Sequence, residues 1–247
     1  MRKFLKWTGF LIAGILLLGL LAAWILHEPL PKGRSGPAAD ALARKMLAAV
    51  NAAAWDSTAI VQWTFAGRHH YLWDKERDYC RVRWSDREVL LNLHAITGKA
   101  RQGGQWLEGK AASKAVQRAW SLFANDSFWL NAVVKAFDPG TTRRLVPLED
   151  GTEGLLVHYA SGGVTPGDSY LWILDEKGRP RCWKMWVQIL PIGGVAATWE
   201  EWTTLATGAE IATAHRNALF ELRITDVRGA ASLEAFGLEE DPFAPLQ

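Results

Sequence analysis

Two cysteines are all that the 247 residues contain, and the first of them is Cys80. The lipidated N-terminal cysteine of a bacterial lipoprotein is therefore missing, and no prenylation motif is present. Charge of one sign is also scarce: 28 basic residues face 26 acidic ones, a net charge of +2. Nucleic-acid binding needs a strong basic excess on one face, so no nucleic-acid partner is expected. The sequence has no G-x-S-x-G nucleophile elbow, no Walker loop, no dinucleotide glycine pattern and no H-E-x-x-H pair. Internal repeats and low-complexity tracts are absent as well. These gaps predict a protein that is not an enzyme and takes no cofactor and no metal.

Hydrophobic residues make up 49% of the chain and charged ones 22%, a folded composition. Tryptophan is abundant, at 14 against 4 tyrosines. Its large apolar body and single N–H suit interfaces and deep cavities, and equally the filling of a core. Arg2, Lys3 and Lys6 precede an uncharged run from Trp7 to Leu26. As a helix such a run spans about 30 Å, the thickness of a bilayer's hydrocarbon. Trp7 and Trp24 fall near its ends, where aromatic belts form. A cleaved signal peptide would have a shorter apolar region and a small-x-small site. Here Ala22 and Ala23 lead straight into Trp24, Ile25 and Leu26. The sequence thus predicts a retained anchor at 1–28, a Pro/Gly linker at 29–37 and an extracytoplasmic domain at 38–247. With the basic end in the cytoplasm, that is a single-pass protein of the bacterial inner membrane with its domain in the periplasm.

Pro37 opens a predicted helix to about Ala54, with Leu42, Met46, Ala49, Val50 and Ala53 on one stripe. The period then falls to two. Val61, Trp63 and Phe65 form one alternating set, Cys80, Val82 and Trp84 a second, and Val89, Leu91 and Leu93 a third, each a strand with one buried face. Ser113 is a candidate cap for a helix carrying Val116, Ala119, Trp120 and Phe123. Asn125–Asp126–Ser127 reads as its break, and Leu130, Val133, Val134 and Phe137 as a second short helix. Strands are predicted again near 143–148, 154–160, 168–174, 181–190, 196–203, 210–213 and 219–225. The tail from Glu239 is expected to be loosely held. The fold class is therefore mainly β: a strongly curved antiparallel sheet or incomplete barrel, with an N-terminal helix and inserted covering helices, preceded by one transmembrane helix.

This order of elements, over residues 38–228, resembles the LolA/LolB-like lipoprotein-carrier superfamily. The strings Gly67–Asp74 (GRHHYLWD) and Gly167–Asp175 (GDSYLWILD) are similar to segments of an uncharacterised bacterial envelope protein family. The superfamily resemblance implies a half-open barrel whose apolar cavity holds a lipid or acyl chain. The anchor departs from it, since a tethered chain cannot shuttle across the periplasm. No individual functional residue carries over by motif.

Positions expected to line such a cavity are Trp63, Phe65, Val82, Trp84, Trp183, Met185 and Val187, with Trp120, Phe123, Leu130 and Val134 added by the helical cover. The same alternation arises from a filled core. The function expected is a membrane-tethered protein binding or carrying an apolar ligand. The alternative is a non-enzymatic assembly or interaction protein of the envelope. His69 and His70 point to opposite faces of an extended strand and so do not share a metal ion, and His94, His158 and His215 are scattered. Glu200 and Glu201 are expected to face apart for the same reason. Asp74 and Asp168 are expected to bond backbone amides in turns. A dispersed hydrolase site would need Ser161 or Ser169 beside His158 in a pocket. Cys80 shares its face with Val82 and Trp84, while Cys182 shares its own with Lys184 and Gln188, which predicts no disulfide.

Overall fold

A computed structural model describes residues 23–246 together with Gly14, Leu17 and Leu21. The anchor predicted at 1–28 lies mostly outside the described residues. No helix among the described residues is long and apolar enough to cross a membrane.

Helix α1 (Pro37–Ala49) starts at its proline, as expected. It ends earlier than the periodicity suggested, because Asn51 takes a left-handed φ of 52° and starts a separate short helix, α2 (Ala52–Asp56). A meander of hairpins follows: β1 (Ile60–Phe65), β2 (His69–Asp74), β3 (Tyr79–Trp84), β4 (Arg87–Asn92), β5 (Thr97–Gln102) and the two-residue β6 (Gln105–Trp106). Helix α3 (Gly109–Asn131) runs into a 3-10 turn at Ala132–Lys135. The second meander comprises β7 (Thr141–Pro147), β8 (Glu153–Tyr159), β9 (Ser169–Leu174), β10 (Pro180–Trp186) and β11 (Val195–Thr198). The chain closes with β12 (Glu200–Thr204), β13 (Glu210–Arg216), β14 (Glu221–Ala230) and a short α4 (Leu233–Phe236).

The domain is mainly β, but its strands form two antiparallel sheets that do not close into a barrel. One has nine strands in the order β12-β13-β14-β1-β2-β3-β4-β5-β6, the other five in the order β11-β10-β9-β8-β7. The single sheet expected from the sequence is divided at Trp199. Residues before it pair with β10 and residues after it with β13, so one extended stretch changes sheets within a few residues. Trp199 itself is buried, and its N–H donates to Arg181 O at 2.8 Å.

The helical insert also differs from expectation. Asn125, Asp126 and Ser127 do not break it: α3 is one continuous helix of 23 residues. Ser113 is not its cap; the helix begins at Gly109, and the Ser113 hydroxyl donates to Gly109 O at 3.2 Å. Buried Val116, Ala119, Phe123, Asp126 and Leu130 recur every three or four residues and face the sheets. The tail is not loose either. Phe243 is fully buried on the outer face of the nine-stranded sheet with Ile60, Leu72, Leu90 and Phe236. Asp241 takes a two-pronged ion pair from Arg77, at 2.7 and 2.9 Å.

The segment predicted as a linker is held as a strap against the five-stranded sheet. Glu28 N donates to Gly193 O at 3.0 Å, and the Trp186 indole donates to Glu28 O at 2.7 Å. Lys184 pairs with the Glu28 carboxylate at 2.7 Å. Further along, Arg34 exchanges both backbone hydrogen bonds with Leu145, each at 2.9 Å, on the otherwise open edge of β7. Glycines make these approaches possible. A Cβ on Gly33 would lie 2.8 Å from Leu145 O, and one on Gly193 would lie 2.2 Å from the Trp186 ring.

Candidate binding face

Helix α3 packs across β4, β5 and β13, and its two halves serve two aromatic cores. Of the eleven predicted positions, Trp63, Phe65, Val82, Trp84, Trp120, Phe123 and Leu130 meet in the first core, under the nine-stranded sheet. Trp183, Met185 and Val187 fall in the second, under the five-stranded sheet, and Val134 touches both. The predicted positions are therefore divided between two cores, one under each sheet.

Their rings fill the space against α3. Trp63 stacks on Tyr71 with centroids 4.4 Å apart, and Phe123 from the helix meets Trp63 at 6.2 Å and Trp73 at 5.1 Å. Trp183 lies at the centre of the second cluster, with Trp129 at 4.9 Å, Tyr170 at 4.7 Å, and Trp172 and Trp199 each at 5.0 Å. Such tilted and edge-on pairs add attraction beyond the burial of area. Two cavities have mostly polar or charged side chains around them, and the first borders the candidate face at Trp63 and Tyr71. One of about 170 Å³ is lined by Gln62, Thr64, His70, Arg81, Arg83 and Asp226 with Trp63 and Tyr71; the other, about 570 Å³, by Asp175, Glu176, Lys177, Arg179 and Ala49.

A polar cluster that no sequence pattern singled out joins α3 to the sheet. Asp126 is 1% exposed, and its carboxylate accepts from Tyr71 Oη and His69 Nδ1, both at 2.6 Å, and from Asn125 Nδ2 at 2.8 Å. Burial, reinforced by the adjacent Asp126 charge, pushes the Tyr71 hydroxyl far above its ordinary range, so it stays a donor. His69 and Tyr71 are two residues apart on β2, hence on one face. His70 points to the other and meets Thr64 at 2.9 Å. The signal available was the polar Asp126 inside an otherwise regular apolar stripe.

Buried polar atoms without a partner among the described residues occur in both cores, the indole N–H groups of Trp63 and Trp73 in the first. Asn131 Oδ1, Tyr159 Oη, His215 Nε2 and the indole N–H groups of Trp172, Trp183 and Trp199 find no partner among the described residues. Burial lowers the His215 pKa from 6.5 to about 4, so the ring is neutral at physiological pH. Its Nδ1 lies 3.0 Å from Thr198 O, and its face meets Trp199 at 4.5 Å.

The remaining candidates resolve as follows. Asp74 accepts from Arg77 N at 3.0 Å within its turn, and Asp168 accepts from Gln188 N at 2.9 Å across two loops. Glu200 and Glu201 do not face apart: both reach Arg216, because Glu201 turns through a φ of 54°. Arg223 also binds Glu201, at 2.7 Å, making an exposed ion network. His158 does meet Ser169, at 2.9 Å, and Ser169 is 1% exposed. Ser161 instead donates to Pro139 O at 3.3 Å. Both cysteines are free, and Cys80 is buried. Among the described residues no three His, Cys, Asp or Glu side chains gather as metal ligands. Neither a protein-family model nor a curated protein matches the chain.

Proposed function

We propose that this chain is a membrane-tethered protein of the bacterial envelope that works without catalysis, as an assembly or interaction module acting through its outer surface. The observation that carries this reading is the engagement of the predicted aromatic positions by α3: Trp63 and Trp183 pack against Phe123 and Trp129 of the helix, so side chains of the protein itself occupy the face an acyl chain would use. The strap from Glu28 to Arg34 supports it too, since a hydrogen-bonded junction holds the domain at a fixed distance from the end of the apolar run. The test is titration of the full-length reconstituted protein with a fluorescent fatty acid, beside in-cell photocrosslinking from exposed positions. This reading expects no saturable fatty-acid signal and a discrete crosslinked species. A saturable, stoichiometric signal would refute it.

The second reading, a carrier for an apolar ligand in an incomplete barrel, is favoured by the Asp126 cluster and by the unpartnered polar atoms of the second core. A buried carboxylate holding a helix in place is a device that can be released, and a ligand entering beneath a displaced α3 would meet unused indole donors. Under this reading Asp126→Asn loosens α3 and raises fatty-acid binding. Under the first reading it lowers stability and raises no binding.

A further inference from the structure

Most of the large apolar side chains left exposed on the domain gather at one end. The loop between β8 and β9, 161–167, is uncharged and exposes Val164 at 47%. The loop between β10 and β11, 187–194, is uncharged as well and exposes Ile189 at 69% and Leu190 at 36%. The two act as one surface, because Gln188 donates its backbone N–H to Asp168 and its side-chain amide to Pro166 O. The turn between β13 and β14 joins them: Asn217 Nδ2 donates to Ala196 O at 3.1 Å, beside Leu219, which is 88% exposed. Charged turns occupy the opposite end of the same hairpins, with Asp175, Glu176 and Lys177 between β9 and β10.

The strap adds an independent observation about what this end faces. Glu28 is bonded to Gly193 within the second loop, and Gly193 N donates to His27 Nδ1 at 3.0 Å. One residue, His27, separates Glu28 from Leu26, the last residue of the uncharged run, and Trp24, Ile25 and Leu26 are exposed helical residues. A chain that leaves a bilayer at Leu26 has no slack before it is fastened to the 187–194 loop.

We infer that loops 161–167 and 187–194 and the 217–220 turn form a surface that lies on the lipid bilayer, with Val164, Ile189, Leu190 and Leu219 in the interfacial layer. This deepens the tethered reading and rests on it. Each apolar side chain that leaves water for the headgroup–acyl boundary adds to the anchor's hold and fixes the domain's orientation.

The test uses the full-length chain with Cys182→Ser, reconstituted into phosphatidylcholine vesicles with some phosphatidylglycerol. An environment-sensitive dye is placed at Ile189→Cys, at Leu219→Cys, or at Lys177→Cys as the far-end control; the remaining Cys80 is buried. The expected result is strong quenching by spin-labelled lipid at 189 and 219, with loss of quenching by aqueous iodide, and the reverse at 177. Dyes at 189 and 219 that stay open to iodide and blind to spin-labelled lipid overturn the inference. Flotation of the same samples separates the causes. Chains that float but show an iodide-accessible 189 retain the anchor and lose only this surface, whereas chains that do not float with vesicles lose both.

Discussion

The two cores beneath α3 are built from the same residue types, and both bury indole N–H groups without a partner among the described residues, Trp63 and Trp73 in the first and Trp172, Trp183 and Trp199 in the second; they differ in the cluster around Asp126. Under the nine-stranded sheet, Asp126 collects three donors and locks helix to strand. Under the five-stranded sheet, six polar atoms of Asn131, Tyr159, Trp172, Trp183, Trp199 and His215 are buried among rings without partners. The first core adds the directional bonds of the Asp126 cluster to its ring packing, and the second has only single bonds such as His215 Nδ1 with Thr198 O. A buried polar group without a partner costs roughly 1–3 kcal/mol, and the second core holds more of them than the first. The Asp126 bonds fix α3 to β2 five residues before the helix ends at Asn131.

The largest effect should come from breaking the lock. Asp126→Ala leaves the Tyr71 hydroxyl and His69 without their acceptor and should cost about 3–5 kcal/mol in urea unfolding. Asp126→Asn, which keeps an acceptor oxygen, should cost distinctly less. Next is acid sensitivity in the second core. His215 titrates at about 4 when folded and at 6.5 when not. Between those values the unfolded chain binds more protons, so stability is intact above pH 6.5 and falls as the pH drops toward 4. The loss is about 3 kcal/mol at the lower end, and His215→Leu should abolish that slope.

Smaller effects sharpen the contrast further. Gly193→Ala drives a Cβ into Trp186 and toward Glu28 O and should cost about 1–3 kcal/mol, read as faster proteolysis within residues 29–36. The least effect belongs to Trp183→Phe. Losing part of the ring destabilises, but the substitution also removes an indole N–H that has no partner, so the net cost should stay within about 1 kcal/mol. A larger loss would mean that the Trp183 N–H is satisfied after all.

Much of this architecture was legible before the fold was known, and the failures have physical causes. Strand β3 carries clear alternation because its Cys80 and Val82 face is buried and its arginines are not, whereas β1 and β4 were found by the same period although Ile60 and Leu90 on their other face are buried too. Strand β5 was missed because only Ala100 among its six residues is buried, so Thr97–Gln102 has no apolar period to read. The continuity of α3 was hidden because Asp126 is helical only by virtue of His69 and Tyr71, more than fifty residues away. The division into two sheets depends on Trp199, whose sequence context is that of an ordinary strand. The aromatic positions of the candidate face were found by period alone, while their filling by α3 depends on packing that no local pattern encodes. The docked tail was missed because Pro242 and Pro245 read as irregular, although Phe243 between them anchors the segment.

Hydrogen exchange along α3 in the full-length, reconstituted protein tests the filled interior most directly. The account predicts that amides from Val116 to Leu130 exchange only with global unfolding, and that added fatty acid leaves them unchanged. A helix that opens well below the global unfolding free energy, and opens further when fatty acid is supplied, would contradict it and return the interior to service as a ligand site.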